Sequence, residues 1–202
     1  MKKGYSQYDE DEFVLNYFNN KIGFLVDIGA ADGVTGSNSK FLIENGWSGL
    51  LIEPNKKHIL KLKKIYENYN NILLENIGCS YETNDDVDFF IDQVDGFELA
   101  STFNIEQMNK VKNIHKTNFY TNKVNIVKTS DIFKKYNINK IDFLSIDTES
   151  YDENVLKGID FGKCSIDLIC IETVTIGIKN LLDENGYKEV YKTPSNHLFS
   201  KI

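Results

Sequence analysis

The chain has 202 residues, of which 41% are apolar, enough to build one buried core, and its formal net charge is −7. This acidic balance argues against a nucleic-acid backbone as the main partner, because phosphate binding requires clustered Lys and Arg. No stretch approaches the roughly 20 consecutive apolar residues of a membrane span, and no apolar run follows the two N-terminal lysines, so we expect no signal peptide and a cytoplasmic protein.

Strand-like and helix-like patterns alternate along the first half of the chain. Residues 24–28 form an apolar run closed by glycine, which is typical of a buried parallel strand. The next predicted elements are, in chain order, a helix over 39–45, a strand over 49–53, a helix over 56–69, and strands over 72–75 and 87–91. Lysines interleave with Ile and Leu in the second of these helices, so we expect one solvated face that includes His58.

The alternation continues in the second half, after a polar segment over 95–120 that holds one weak helix near 105–115. Ser130 is the expected N-cap of a helix over 131–136. The other predicted elements are an edge strand over 124–127, strands over 141–146 and 166–171, and helices around 153–157 and over 175–185.

The last predicted element is a hairpin, formed by short strands over 187–192 and 197–201 around Pro-Ser-Asn. Dehydrogenase Rossmann domains continue in parallel at this point, whereas class I methyltransferases finish with an antiparallel hairpin. We therefore predict an α/β fold of the Rossmann-like class I methyltransferase type, whose mostly parallel seven-stranded sheet ends in that hairpin. We expect a single methyltransferase domain over 1–202, with 96–120 as a candidate lid on the acceptor side.

A candidate cofactor loop follows the first strand, where ligands of doubly wound sheets bind. Gly29 permits a tight turn and a close approach to a ligand, and the small Ala30 keeps that approach open. The spacing is not the GxGxxG of a pyrophosphate-binding loop. Asp27 and Asp32 would repel a pyrophosphate, but they suit the ammonium and sulfonium groups of S-adenosylmethionine. The alternative is an acidic turn that merely follows a core strand.

Glu53 ends the second strand, where an acidic residue can accept hydrogen bonds from both ribose hydroxyls of a cofactor. An NAD site would use an acid at the same place, so Glu53 fits both cofactors. The loop charges and the final hairpin favour S-adenosylmethionine.

Longer segments resemble the FkbM-type methyltransferases. FLVDIGAADGVTGSNS and the later GWSGLLIEP are similar to the family signature, and SQYDEDEF is similar to its N-terminal Ser-Gln followed by Glu-Asp. IDFLSIDTESYDENVLKGI resembles a block in which a strand ends in Asp-x-Glu and leads to Glu-x-x-Val-Leu-Lys-Gly. The resemblance covers nearly the whole chain. It departs at Ser150, where the family commonly has Gly, so we expect the backbone and the pocket edge to differ there.

The resemblance implies S-adenosylmethionine as the cofactor and a set of residues around it. It implies Asp27, Gly29, Asp32 and Gly33 around the methionine part and Glu53 on the ribose. The remaining implied contacts are Ser37 and Asn38 near the methionine carboxylate, Asn76 and Ile77 near adenine, and Gln7. Alternatively, Ser37 or Asn38 caps the following helix and does not contact the cofactor. Family acceptors are diverse, and sugar hydroxyls are common among them.

A hydroxyl acceptor must lose its proton, either to a general base or by coordination to a metal ion. Asp147 and Glu172 end neighbouring predicted strands, so both would reach one divalent cation, for which oxygen ligands favour Mg²⁺, Mn²⁺ or Ca²⁺. Alternatively, Asp147 orients the backbone and the cofactor without a metal. His197 is the best histidine candidate for a base, although a histidine on a terminal strand also fits a structural role.

We therefore expect an S-adenosylmethionine-dependent O-methyltransferase that acts on a small polar acceptor, such as a sugar hydroxyl of a nucleotide-linked saccharide or glycan precursor. We expect no nucleic-acid partner, and a homo-oligomer is compatible with the sequence. Three alternatives are kept: a nicotinamide-dependent oxidoreductase, a nucleic-acid methyltransferase, and a methyltransferase-like module that binds without catalysis. NADH binding, salt-sensitive RNA retention, and cofactor binding without turnover would favour them respectively.

Overall fold

The computed structural model describes residues 4–93 and 98–202. Its main sheet has seven strands: β1 (Phe24–Ile28), β2 (Ser48–Ile52), β3 (Ile72–Glu75), β7 (Lys140–Ile146), β8 (Ser165–Ile171), β9 (Tyr187–Lys192) and β10 (His197–Lys201). Their spatial order is β3-β2-β1-β7-β8-β10-β9. The first five are parallel, and β10 pairs antiparallel with both β8 and β9. The predicted class I methyltransferase architecture, with its terminal hairpin, is confirmed.

Three further strands form a separate sheet in the order β4-β6-β5. They are β4 (Gly78–Ser80), β5 (Asn84–Asp92) and β6 (Phe119–Lys128). The helices are α1 (Glu10–Tyr17), α2 (Lys40–Glu44), α3 (Lys56–Ile65), α4 (Ile105–His115), α5 (Thr129–Lys135), α6 (Asp152–Lys157) and α7 (Ile176–Glu184). No helix in the described part of the chain is both long and apolar enough to cross a membrane.

The main sheet is buried on both faces, which explains why its central strands are continuous apolar runs rather than alternating patterns. Val26 and Leu144 belong to the core cluster on one face, and Leu25 and Phe143 to the cluster on the other. All four side chains are fully buried. Because the apolar side chains hold both faces, the polar residues that follow each strand are left at the sheet edge.

The structure differs from the predicted elements in several places, and strand β4 was not predicted. The strands predicted over 87–91 and 124–127 lie in the second sheet, because β5 and β6 pair with each other and not with the main sheet. Helix α1 was not predicted, and α3 ends at Ile65. The predicted N-cap at Ser130 was wrong, because α5 begins at Thr129 and Ser130 therefore lies inside the helix.

Candidate active site

The loop after β1 passes so close to the loop after β7 that one position admits only glycine. Gly29 has a φ of +90°, and a Cβ built on it would lie 1.8 Å from the carbonyl oxygen of Asp147. The amide of Gly29 donates to the Ile52 carbonyl, and the amide of Asp147 donates to the Ile28 carbonyl. The carboxyl ends of β1, β2 and β7 are thereby brought together at one edge of the sheet.

A cleft with two lobes opens at this edge. The apolar lobe is lined mainly by hydrophobic side chains and by two acids of its own, namely Ile28, Ile52, Ile77, Cys79, Phe89, Phe103 and Tyr151 with Glu53 and Glu98. The polar lobe is lined by Gln7, Asp27, Ala30, Ser37, Asn38, Ser145 and Glu172. The lobes share Gly29, Ala31, Leu99, Asp147 and Glu149. No Lys or Arg lines either lobe in the part of the chain described, so the cleft offers its occupant anionic and neutral groups.

Glu53 is one of the two buried acids that line only the apolar lobe, beside Glu98. Its two carboxylate oxygens accept hydrogen bonds from the amides of Ala31 (2.8 Å) and Asn55 (2.7 Å). Burial raises the pKa of Glu53 to about 7, although these two amides oppose the shift. Glu53 therefore braces the loop after β1 and also presents a carboxylate to whatever occupies the lobe.

The polar lobe combines a buried acid with an amide that lacks a full set of partners. Burial raises the pKa of Asp27 to about 6, against hydrogen bonds from Ser39 and Ser145 that lower it. The Asn38 side-chain nitrogen lies 3.3 Å from Ser145 Oγ, whereas its buried amide oxygen has no hydrogen-bond partner. A buried acceptor left without a donor costs free energy, about 1–3 kcal/mol, so this lobe suits a ligand that brings a donor such as an ammonium group.

Three carboxylates meet where the lobes join. Asp147, Glu149 and Glu172 each offer an oxygen, and these oxygens all lie within 4.8 Å of one another. Burial, followed by the charges of Glu172 and Glu149, raises the pKa of Asp147 well above its usual range. The sequence pairs Asp147 with Glu172, and the structure adds Glu149 to them. The chemistry of three crowded oxygens suits either a shared proton or a hard divalent cation.

The segment before α4 holds the loop after β7 in a strained conformation. Glu149 and Ser150 have φ values of 53° and 68°, so the serine that departs from the family pattern lies at a left-handed position. Thr102 Oγ1 donates to the Glu149 carbonyl (2.8 Å), and the Asn104 side-chain amide donates to the Ser150 carbonyl (3.1 Å). These hydrogen bonds hold the Glu149 side chain at the junction of the lobes.

The candidate lid over 96–120 contacts the cofactor side as well. Its first two residues lie outside the described residues. Glu98 accepts hydrogen bonds from the Asn55 side chain (2.8 Å) and from Lys57 Nζ (2.7 Å), which ties the segment to α3. Leu99 lines both lobes. The described part of the segment therefore contributes to the wall at the junction of the lobes, and its role as a lid stays a prediction.

Several predicted site residues shape the site without lining either lobe. The Asp32 carboxylate accepts from the amides of Val34 and Thr35 within its own turn. Gly33 packs against α3, because an added Cβ would lie 2.3 Å from Leu62. The Asn76 side-chain amide donates to the Glu53 carbonyl (2.8 Å), so it fixes the end of β2.

His197 is also outside the cleft as far as the structure describes it. Its Nδ1 lies 2.7 Å from an oxygen of Glu189 on the neighbouring strand β9. His58, in contrast, is 1% exposed and lines the apolar lobe, so the expectation that it is solvated was wrong. The available signal was helical spacing, since His58 precedes the buried Leu62 by one turn.

Comparison with known proteins identifies a family for most of the chain. Residues 27–189 match the family described as Methyltransferase FkbM domain. The methyltransferase FkbM of Methylobacillus flagellatus KT is 16% identical, with a TM-score of 0.52, and the match covers 89% of this chain and 43% of that one. The chain thus spans less than half the length of that relative. No curated protein matches.

Two other solved structures share the fold at lower identity. The putative methyltransferase yhhF of Escherichia coli is 11% identical, with a TM-score of 0.51, over 95% of this chain and 84% of that one. The putative RNA methyltransferase PH1948 of Pyrococcus horikoshii is 11% identical, with a TM-score of 0.50, over 98% and 88%. Likeness at these identities concerns the fold alone. With the family match extending over most of its length and the sheet order of class I methyltransferases, the chain belongs to the FkbM family of S-adenosylmethionine-dependent methyltransferases.

Proposed function

We propose that this protein transfers the methyl group of S-adenosylmethionine to a hydroxyl of a small polar acceptor, a sugar of a nucleotide-linked saccharide or glycan precursor. The observation that carries the proposal is the division of the cleft. A mainly apolar lobe that contains the buried Glu53 adjoins a carboxylate-lined polar lobe. S-adenosylmethionine has the same division, since its flat adenine and its ribose are followed by a positively charged sulfonium and an ammonium group.

The residues of each lobe suit particular parts of this cofactor. Ile77 lies on the wall where adenine would pack, and Glu53 is the acceptor for the ribose hydroxyls. Asp27 and the unpaired amide oxygen of Asn38 suit the ammonium group at the methionine end. The other proposed contacts at that end are Gln7, Gly29, Ala30 and Ser37.

Asp147 is the proposed base, because it lines both lobes and so lies where the methyl group and the acceptor would meet. The carboxylates of Asp147, Glu149 and Glu172 also fit a divalent cation such as Mg²⁺ or Mn²⁺, which would supply acidification of the acceptor hydroxyl when bound. In both cases the protein aligns the acceptor with the methyl group and excludes water. His197 has no part in this proposal, because Glu189 holds it outside the cleft.

The cofactor is tested by calorimetry with S-adenosylhomocysteine on the wild type, Asp27→Asn and the exposed control Asp85→Asn. We expect saturable binding, weakened about 10-fold or more in Asp27→Asn, since one charge-assisted contact contributes about 1.5–3 kcal/mol. Wild-type affinity in Asp27→Asn, or no binding at all, would refute the proposal.

The acceptor is tested by a mass-shift screen of nucleotide-linked sugars, in which methylation adds the mass of one CH₂ group to the acceptor. Repeating the assay after exhaustive chelation decides between the cation and the metal-free base. Binding without turnover across the panel would favour a non-catalytic module, and methylation of RNA would favour the nucleic-acid alternative. The cytoplasmic location and a homo-oligomeric state stay predictions.

A further inference from the structure

A third cavity, here called the outer groove, opens from the junction of the two lobes. It shares Leu99 and Glu149 with both lobes, and Thr35 with the polar lobe. A methyl group presented at that junction would therefore face the outer groove. The groove is a separate space from the cofactor lobes, since most of its wall comes from α4 and from the residues around Ala100.

One face of α4 forms the long wall of the outer groove. Gln107, Lys110, Val111 and Ile114 line it, at the spacing of three and four residues that places side chains on one side of a helix. No residue of α4 is buried, and Ile114 is 62% exposed. The apolar part of this helix face is thus turned toward an open space next to the reacting centre.

The charges of the outer groove are arranged unevenly. At its inner end, the Gln107 side-chain amide donates to the Glu149 carboxylate (3.2 Å). Asp92 is only 4% exposed, and its carboxylate accepts from Thr117 Oγ1 (2.8 Å). Lys110 is the exposed cation on the wall, and the chain contains no arginine. Among the described residues that line the groove or either lobe, Lys110 is the only Lys.

We propose that the outer groove is the acceptor site, and that Lys110 binds an anionic group, a phosphate or a carboxylate, on the acceptor. The proposal rests on the function proposed above and narrows its substrate to an anionic saccharide. The acceptor places its anion at Lys110, lays its carbon skeleton on Val111 and Ile114, and directs a hydroxyl toward Glu149.

The test follows the Ile114 methyl signal by NMR during titration with glucose 1-phosphate, with glucuronate and with glucose, in the presence and in the absence of S-adenosylhomocysteine. We expect one or both anions to shift this signal saturably, and glucose to have no effect at the same concentrations. Lys110→Gln should weaken anion binding about 10-fold, by loss of a charge-assisted contact. Lys112→Gln, an exposed lysine of α4 that does not line the groove, should bind like the wild type.

A phosphate-only or carboxylate-only response names the source of the anion. The groove assignment is overturned if no anion shifts Ile114, if glucose shifts it equally, or if Lys110→Gln keeps its affinity. Any of these results obtained while S-adenosylhomocysteine still binds by calorimetry leaves the proposed cofactor intact. Loss of S-adenosylhomocysteine binding alone overturns the proposed function, while the anion titration without cofactor still decides the groove.

Discussion

The loops after β1 and β7 lie side by side at the cleft and contain left-handed residues of different kinds. Between residues 29 and 36, the left-handed positions are Gly29, Ala31, Gly33 and Gly36, whereas those after β7 are Glu149 and Ser150. A positive φ by itself therefore does not select glycine in this protein. Glycine is required at residue 29, where an added Cβ would lie 1.8 Å from a backbone carbonyl oxygen, whereas at residue 33 it would lie 2.3 Å from a side-chain methyl group of Leu62.

The loop after β7 follows another logic, because its side chains are needed at the cleft. Glu149 contributes a carboxylate to the junction of the lobes, and hydrogen bonds from Thr102 and Asn104 hold the backbone around it. In the first loop, the absence of a side chain at glycine lets two backbones approach each other. In the second loop, hydrogen bonds from a neighbouring segment hold the Glu149 side chain in place. Four predictions test this contrast.

The largest effect is expected for Gly29→Ala. The new methyl group would collide with the Asp147 carbonyl in a left-handed conformation, so we expect the free energy of unfolding to fall by about 3 kcal/mol or more. Urea unfolding measures it, with Gly162→Ala as the matched control, since the nearest atom to a Cβ there is 3.3 Å away. Equal stability of the two variants would contradict a close approach of the loops.

An intermediate effect is expected for Glu53, which braces the first loop. Its pKa of about 7 lies above the ordinary 4.5, so the folded apo protein binds a proton that the unfolded chain has released. This contribution to stability is present below pH 4.5 and is lost as the pH rises to about 7. Glu53→Gln should remove that decline, which amounts to about 3 kcal/mol for a shift of this size, in unfolding curves measured from pH 4.5 to 8.

Cofactor affinity should have the opposite pH dependence. If ribose hydroxyls donate to the ionised form of Glu53, as proposed, the affinity of the wild type for S-adenosylhomocysteine should rise about 10-fold between pH 6 and 8. Calorimetry on Glu53→Gln should give weaker binding and a flatter profile. If the affinity of Glu53→Gln kept the wild-type pH dependence, another group would be responsible for it. Asp27 would be the candidate, because burial raises its pKa to about 6.

The smallest effect is expected for Ser150→Gly. Glycine removes the steric cost of the left-handed conformation but adds freedom to the unfolded chain, so we expect a net stabilisation of about 0.5–1 kcal/mol. Ser130→Gly is the control, because its helical position in α5 should make glycine destabilising. The midpoints of thermal unfolding of the two variants and the wild type measure these effects. A lower midpoint for Ser150→Gly would mean that the serine side chain itself stabilises the loop.

Much of the fold was predictable because it depends on local patterns. Continuous apolar runs such as 24–28 and 141–146 predicted the buried parallel strands, and the terminal hairpin followed from two short strands around Pro-Ser-Asn. The placement of Asp27, Glu53 and Asp147 at strand ends also followed, because parallel strands deliver their carboxyl ends to the same edge.

Tertiary packing decided which of these polar residues line the cleft. Asp32 has the same charge as Asp27, yet its carboxylate is held within its own turn, and His197 is paired with Glu189 on the adjacent strand. His58 lies in a lysine-rich helix, yet the rotation of that helix buries it beside Glu53. Local sequence determines which elements form, whereas the direction of a side chain and its partners depend on contacts between residues distant in the chain.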